Sequence, residues 1–469
     1  MSPPVEQLFS RARSLGEIFK QNGELPRIDE AIALGRETLD LCTPSDPQRP
    51  ACLTQLALHI SGRYDQVGGA ENLSEAMLVS RDAVTLCPPG HPDRSASLNA
   101  LAIVLRSWYN LFEEVEDLTE AILLDRNALA LRPPGHPDRP ESLNNLAVGL
   151  VIRYDLLGVV DDLNEAILLD QEALALCPPG HPDRSRSLEN LAVDLNTRYT
   201  QLGAVEDLDE AILLDREVLS LCPPGNPDRS ECLNSLARGL SARYCVLGEV
   251  EDLNEAILLD REALALRPPG HPDRFQSLSN LEVCLTARSM RLRVGGVEGL
   301  NEAILLGRDA LALCPLGHPD RSMCLNNLAV ELGARYDLAG RGGDLNEAIL
   351  LAREALALRP PGHPDRSTSL GDLAVQLSTR YNLEKAVEDL NEAILLNQCA
   401  LAHRPPGHRH RSLCLYNLTT DFCTRYMLVG RFITLSHCKF LLSHIIRLRS
   451  FLTLRIKRNC SVSMPNWHM

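Results

Sequence analysis

The chain has 469 residues, of which 45% are hydrophobic and only 4% aromatic, and its formal net charge is −15. Seven of the 47 Lys and Arg residues lie after Gly430, where there is no Asp or Glu, so the rest of the chain is strongly acidic. An acidic body repels phosphate backbones, which excludes nucleic acid as an expected partner and favours neutral or basic proteins and peptides.

The first 26 residues predict a degenerate N-terminal helix. The opening residues, MSPPVEQLFSRARSLGEIFK, have no apolar core of the kind that secretory signals carry. No stretch of 18 uncharged apolar residues follows anywhere, so no membrane span is expected. We therefore expect a cytoplasmic protein whose 15 cysteines stay reduced.

A repeat array is predicted over residues 27–430. The motif Pro-Pro-Gly-His-Pro-Asp-Arg recurs every 45 residues, with one spacing of 47. Its glycines are Gly90, Gly135, Gly180, Gly225, Gly270, Gly317, Gly362 and Gly407. A fixed period between 20 and 50 residues is typical of solenoids and propellers.

Within each repeat, the first element is predicted to be a long helix. Leu188, Leu191 and Leu195 recur at three- and four-residue spacing, which places them on one helical face. Pro182 suits the first turn of that helix, where its missing N–H needs no partner. Gly203 is well placed to end the helix in a left-handed conformation.

The second element of each repeat is also predicted to be a helix. Leu163, Ala166 and Ala173 share a face, and Pro178-Pro179 stops the helix. One helix pair cannot bury both of its apolar faces, whereas stacked pairs share a continuous core. The sequence thus predicts an all-α fold, a right-handed helical-repeat superhelix (α-solenoid) of about nine 45-residue helix pairs.

The spacing of Ala166, Ala173 and Pro178 resembles the tetratricopeptide repeat, which has small residues seven apart and a proline five later. The same triple recurs as Ala121, Ala128 and Pro133; Ala256, Ala263 and Pro268; Ala348, Ala355 and Pro360; and Ala393, Ala400 and Pro405. The repeats are most similar to the long ones of the kinesin light chain type, and to fungal arrays that often precede a CHAT (caspase-like) protease domain. The resemblance implies a non-catalytic scaffold that binds partner proteins. The alternative it implies is a sensor arm of a CHAT-type protease whose catalytic domain is missing from this chain.

An asparagine precedes the core leucine of many first helices, which makes this position the candidate peptide-binding site. Its members are Asn145, Asn190, Asn280, Asn327 and Asn417. The resemblance implies that first helices line a concave groove, in which such amides bind the backbone of an extended peptide. An amide both donates and accepts hydrogen bonds, as a peptide group does. The alternative is a solvated polar face of an amphipathic helix.

Histidine recurs once per repeat, in the Pro-Gly loop. The column is His91, His136, His181, His271, His318, His363 and His408. Neighbouring helices lie about 10 Å apart, whereas zinc ligands converge to about 2.1 Å from one ion. We therefore predict no metal site. Asn226 replaces His in one copy, which favours a hydrogen-bonding role in the loop.

The position before the Pro-Gly loop alternates between cysteine and arginine. It holds Cys42, Cys87, Cys177, Cys222 and Cys314 in some repeats and Arg132, Arg267, Arg359 and Arg404 in others. We predict a helix edge, where a thiol packs or an arginine extends its charged end to solvent. Without an oriented third group or an oxyanion site for a Cys–His pair, we predict no enzymatic activity and no cofactor.

Arginine and tyrosine recur together late in the first helix. Arg153 and Arg198 are predicted to pair with acidic residues such as Asp162 and Asp207, in a structural role.

Residues 431–469 form a basic tail in which the repeat vanishes, and we predict that this tail is not part of the solenoid. One interpretation is an amphipathic segment that caps the array or touches a membrane surface. The other is a frameshift or retained intron that replaces the continuing repeat. An unfinished last repeat would also expose apolar surface, through which the chain could self-associate.

Overall fold

The computed structural model describes residues 3–292, 296–405 and 411–428, which contain nineteen α-helices and no strand. Two compact units divide the chain, residues 1–249 and 250–469. The first unit contains α1 (Pro3–Asn22), α2 (Leu25–Leu41), α3 (Arg49–Val67), α4 (Ala70–Leu86), α5 (Arg94–Phe112), α6 (Val115–Ala130), α7 (Arg139–Leu157), α8 (Val160–Leu176), α9 (Arg184–Leu202), α10 (Val205–Leu221) and α11 (Arg229–Leu247). The second contains α12 (Val250–Leu266), α13 (Arg274–Leu292), α14 (Gly296–Leu313), α15 (Arg321–Ala339), α16 (Gly342–Ala357), α17 (Arg366–Glu384), α18 (Val387–Ala402) and α19 (Arg411–Leu428). The predicted all-α array of helix pairs is confirmed.

Odd-numbered helices are the first helices of each pair, and even-numbered helices are the second. The predicted apolar face of α9 is buried, since Leu188, Leu191 and Leu195 are nearly inaccessible. Gly203 ends α9 with φ at +70°, and its N–H donates to the Tyr199 carbonyl at 2.7 Å. Pro182 lies in the turn before α9, which begins at Arg184, so its predicted place in the first helical turn is wrong. In this turn the Arg184 N–H donates to the His181 carbonyl at 3.1 Å, and the helix begins two residues after Pro182.

The Pro-Gly loop is held by its histidine, as predicted. The His181 N–H donates to the Pro178 carbonyl at 2.9 Å, and the His181 Nδ1 accepts from the Asp183 N–H at 3.2 Å. Asn226 replaces the ring with its Oδ1, which accepts from the Asp228 N–H at 2.8 Å. The Nδ1 atoms of His91, His136, His271, His318 and His363 accept in the same way. His408 lies outside the described residues.

Helix pairs stack within each unit, and the first helices of neighbouring pairs contact one another. Such contacts join α5 to α7 and α7 to α9 in the first unit, and α13 to α15 and α15 to α17 in the second. The second helices carry fully buried alanines, among them Ala121, Ala166 and Ala211, which permit close packing. One side of each unit is therefore formed by first helices that lie against each other.

The arginines that share a position with cysteine are buried, so the prediction that they reach solvent is wrong. Arg132 is only 2% exposed. Its guanidinium donates to the Ser142 hydroxyl at 2.9 Å and to the Asp138 carbonyl at 2.8 Å. Those acceptors belong to the following loop and first helix, which cover the side chain. Cys177 at the equivalent position is also buried, and desolvation raises the pKa of its thiol.

The Arg-Tyr pairs have the predicted ion pairs. Arg153 binds both carboxylate oxygens of Asp162, at 2.7 and 2.6 Å, which ties the end of α7 to the start of α8. Identical bidentate pairs join Arg198 to Asp207, Arg335 to Asp344 and Arg380 to Asp389.

The domain boundaries at 26/27 and 430/431 stay predictions. Helix α1, which spans most of the first 26 residues, packs against α2. Residues 431–469 lie outside the described residues, so the predicted unfinished repeat and self-association through it stay predictions. Among the helices that the structure describes, none is long and apolar enough to cross a membrane.

A candidate binding groove along the first helices

The candidate asparagines all lie on first helices. Asn145 and Asn190 are on α7 and α9 of the first unit, and Asn280, Asn327 and Asn417 are on α13, α15 and α19 of the second. Each is partly buried, and the leucine that follows it is buried in four cases and partly buried in the fifth, Leu418. The side chains are thus neither core residues nor fully solvated.

Two of these amides have unused hydrogen-bonding capacity. The Nδ2 atoms of Asn145 and Asn280 are covered and have no hydrogen-bond partner. The Oδ1 of Asn280 accepts from Gln276 Nε2 at 2.9 Å, one turn earlier on the same helix. A covered donor without a partner carries a free-energy cost that a ligand carbonyl could relieve.

At three places among the described residues a cavity opens between successive first helices, and the same helix position lines each of these three. Asn327 lines a cavity of about 260 Å³ between α13 and α15, and Asn417 lines one of about 200 Å³ between α17 and α19. Ser235, which replaces Asn at this position, lines a cavity of about 300 Å³ between α9 and α11. The candidate position therefore lines one recess in the first unit and two in the second, whereas Asn145, Asn190 and Asn280 line none of these three.

Within each unit, a column of buried positions, most of them polar, lies beneath these recesses, and the sequence analysis did not identify it. On the second helices the column is Asp125, Asp170, Asp215, Asp260, Gly307, Ala352 and Asn397. The next first helix faces it with Gly149, Asp194, Gly239, Cys284, Glu331, Gln376 and Asp421. The signal was present, because Asp170 is four residues after buried Ala166 and three before buried Ala173, on an otherwise apolar face.

The first of these sites is a buried ion pair. The Arg106 guanidinium of α5 contacts the Asp125 carboxylate of α6, and both side chains are at least nine-tenths buried. Burial raises the pKa of Asp125 to about 6, although the adjacent arginine acts in the opposite direction. At this position of the column, Arg106 is therefore the charge partner of the buried carboxylate.

A second site holds two carboxyl groups. Asp170 of α8 and Asp194 of α9 are buried and hydrogen-bonded to each other. Burial, followed by the neighbouring carboxylate, raises the pKa of Asp170 to about 8, and burial raises that of Asp194 to about 7. Two such groups cannot both ionise at low cost, so the pair shares a proton near neutral pH.

The second unit has an analogous pair. Burial raises the pKa of Glu282 to about 7, and burial together with Glu282 raises the pKa of Glu331 to about 10. The Thr286 hydroxyl donates to Glu331 at 3.1 Å. Gly307 makes room for them, since a Cβ there would lie 2.8 Å from a Glu282 oxygen. The pair forms the floor of the recess between α13 and α15, which Glu331 lines.

The recess between α17 and α19 has a hydrogen-bonded floor. Asp421 accepts from the Ser378 hydroxyl at 2.8 Å and from Asn397 Nδ2 at 3.0 Å. Burial raises the pKa of Asp421, whereas these two donors lower it. The floors of these two recesses are therefore polar and contain carboxyl groups, and Asn327 and Asn417 lie on their walls.

No family model and no curated protein sequence matches the chain. Among solved structures, the nearly identical TPR-like repeats of a Podospora anserina protein named for the kinesin light chain are 24% identical, and the match covers 46% of this chain and 96% of that one, with a TM-score of 0.34. The apo quorum sensor NprR of B. thuringiensis is 12% identical over 83% of this chain and 99% of its own, with a TM-score of 0.49. A human IFIT1 dimer with PPP-AAAA is 14% identical over 91% and 86%, with a TM-score of 0.45. The chain is thus similar to tetratricopeptide-like repeats, a likeness that concerns the fold alone.

Proposed function

We propose that this protein is a non-catalytic cytoplasmic scaffold that binds partner proteins by holding an extended segment along its first helices. The asparagines at positions 145, 190, 280, 327 and 417 bind the backbone of that segment. The observation that carries the proposal is the recurrence of one helix position, occupied by Asn327, Asn417 and Ser235, at three cavities between helices of the described residues.

The charge of the groove supports a neutral or basic partner. Residues on its floor are acidic, and the body of the chain carries a large excess of Asp and Glu. Lysine is nearly missing from the repeats, with only Lys20 and Lys385 before the tail, so recognition of a carboxylate by lysines is disfavoured.

Replacing four of the amides tests the proposal. A peptide selected from a random displayed library for binding to the parent chain serves as the probe. The variant Asn145→Ala/Asn190→Ala/Asn280→Ala/Asn327→Ala loses four hydrogen bonds of about 0.5–1.5 kcal/mol each, or about 2–6 kcal/mol together, which predicts a Kd at least about 25-fold weaker in calorimetric titration.

The matched control removes four amides from second helices, Asn164, Asn254, Asn301 and Asn346, which lie on α8, α12, α14 and α16. This control should bind the peptide as the parent does. Three of the control amides accept hydrogen bonds from first-helix arginines. Circular dichroism and the melting temperature of both variants therefore accompany the titrations. Equal affinity of the groove variant and the control would refute binding along the first helices.

A further inference from the structure

Because the repeats are equivalent in sequence, a site in one repeat can be compared with the same positions in another. In the first unit the Asp125 site contains three elements: the carboxylate of α6, the Arg106 guanidinium of α5, and Gly149 of α7. A Cβ on Gly149 would lie 3.9 Å from an Arg106 nitrogen and 3.1 Å from Ile122. The guanidinium therefore occupies the space that the glycine leaves beside the aspartate.

The same site recurs two repeats later without its arginine. Asp215 of α10 is equivalent to Asp125, and Gly239 of α11 is equivalent to Gly149, each exactly two 45-residue periods along the chain. Ile212 likewise replaces Ile122, and a Cβ on Gly239 would lie 3.0 Å from it. The position of Arg106 is taken by Asn196 of α9, whose side chain is too short to fill the same space.

A cavity lies beside Asn196, at the position equivalent to that of the Arg106 guanidinium. It measures about 300 Å³ and is lined by Asp215, Asn196 and Gly239, with Thr200 and Ser235 farther along its walls. Asp215 is only 6% exposed, and its Oδ2 is covered and has no hydrogen-bond partner. A buried carboxylate oxygen without a partner is costly, and the parallel N–H donors of a guanidinium suit a carboxylate best.

Arg238, at the rim of this cavity, does not supply that cation. Its side chain is 56% exposed, and its Nη2 donates to the Ser235 hydroxyl at 3.0 Å and lies 3.7 Å from Glu231. Its charge is close enough to lower the pKa of Asp215, but burial dominates and raises that pKa to about 6. Asp215 is thus ionised at neutral pH.

We propose that the Asp215 cavity binds an arginine side chain of the partner segment, whose guanidinium takes the place that Arg106 occupies at Asp125. Ser235 belongs to the candidate groove position, so an arginine on a segment in the groove reaches the cavity directly. The assignment of this arginine to a partner rests on the proposed function, whereas the pocket itself does not. Lysine is a poorer ligand, because its single ammonium cannot form the bidentate pair.

The pocket is tested with N-acetyl-arginine methylamide as the probe, titrated into the full chain and followed by calorimetry. The parent should bind one equivalent, and the lysine analogue should bind at least tenfold more weakly. Asp215→Asn should weaken the arginine probe at least tenfold. Equal binding by the Asp215→Asn variant, or of the lysine analogue by the parent, would overturn the proposal.

Two variants exchange the residues that distinguish the Asp215 site from the Asp125 site. Asn196→Arg should fill the cavity from within, which raises Tm and abolishes probe binding. Arg106→Ala should open an equivalent cavity at Asp125, so that this variant binds two equivalents and regains thermal stability with the probe. An Asn196→Arg variant that still binds the probe contradicts the pocket, whether or not Arg106→Ala folds.

The pH dependence gives a further readout. Besides Arg238 of α11, the charged group that acts on Asp215 is Glu189 of α9, which raises its pKa. Protonation of Asp215 removes the acceptor, so probe affinity should fall about tenfold per pH unit below about 6. Constant affinity between pH 7 and pH 5 would contradict the role of Asp215.

The pocket and the proposed function can fail separately. If the probe binds as described but the groove variant of four asparagines keeps full peptide affinity, the pocket stands and the groove is wrong. If the variant of four asparagines loses peptide affinity, while Asp215→Asn binds the arginine probe as tightly as the parent, the groove stands and the arginine pocket is wrong.

Discussion

The outer surface of the second helices and the polar column buried beneath the first helices differ in how strictly they repeat. On the outer surface, the pairs Arg36–Glu75, Arg81–Glu120, Arg126–Glu165, Arg308–Glu347 and Arg353–Glu392 each join neighbouring second helices across the same 39 residues. In the buried column, equivalent positions differ from repeat to repeat. Asp125 forms an ion pair, Asp170 shares a proton with Asp194, Asp215 lines an open cavity, and Asn397 donates to a carboxylate.

This difference follows from the energies involved. An exposed ion pair contributes roughly 0–1 kcal/mol, so an identical pair can recur as part of the stacking surface. A buried charge without a partner costs several kcal/mol, so a buried polar residue depends strongly on its own surroundings, which differ from repeat to repeat. Among charged and polar positions, the repeats are therefore alike on the exposed surface, where each pair contributes little free energy. They differ in the buried column.

Breaking the buried ion pair should have the largest effect. Arg106→Leu leaves Asp125 buried without a partner, which should lower the free energy of unfolding by about 3–5 kcal/mol in urea titrations. The double variant Arg106→Leu/Asp125→Leu should recover most of this loss, because no buried charge remains. A single variant as stable as the parent would show that the column is not energetically distinctive.

The carboxyl pairs predict a pH dependence of intermediate size. Their folded pKa values, about 8 and 7 for Asp170 and Asp194, lie above the unfolded values near 4, so the folded state binds more protons. Their contribution is fully present below about pH 4 and is lost as pH rises through the folded pKa values, with a slope of up to about 1.4 kcal/mol per pH unit for each proton.

The variant Asp170→Asn/Glu331→Gln sharpens this prediction, because it removes one titrating group from each pair. Urea midpoints measured from pH 5 to pH 9 should fall less steeply in the variant than in the parent. If the two slopes coincide, the carboxyls do not share protons in the folded state.

Breaking one outer pair should have the smallest effect. Arg126 and Glu165 are 2.7 Å apart, and both side chains are more than one-third exposed. Arg126→Ala should cost at most about 1 kcal/mol in the same urea titrations, and less at high salt because exposed charges are screened. A cost comparable to that of Arg106→Leu would remove the distinction between the two surfaces.

The sequence predicted the features that recur with a helical period or a fixed loop. The apolar face of α9, the left-handed Gly203 and the hydrogen bond to His181 are examples. It did not predict that Arg132 is buried, since the acceptors that surround it come from the next loop and helix. The cavity at Asp215 depends on three helices, and only the equivalence of Asn196 to Arg106 could have indicated it.

Selection of peptides from a random displayed library, carried out in parallel on the parent chain and on Asp215→Asn, tests the central claim most directly. We expect that peptides selected on the parent share an arginine at a fixed position, and that this arginine is not enriched on the variant. Peptides without a shared arginine, or the same arginine enriched equally on both chains, would contradict the claim that the irregular buried column determines what the groove binds.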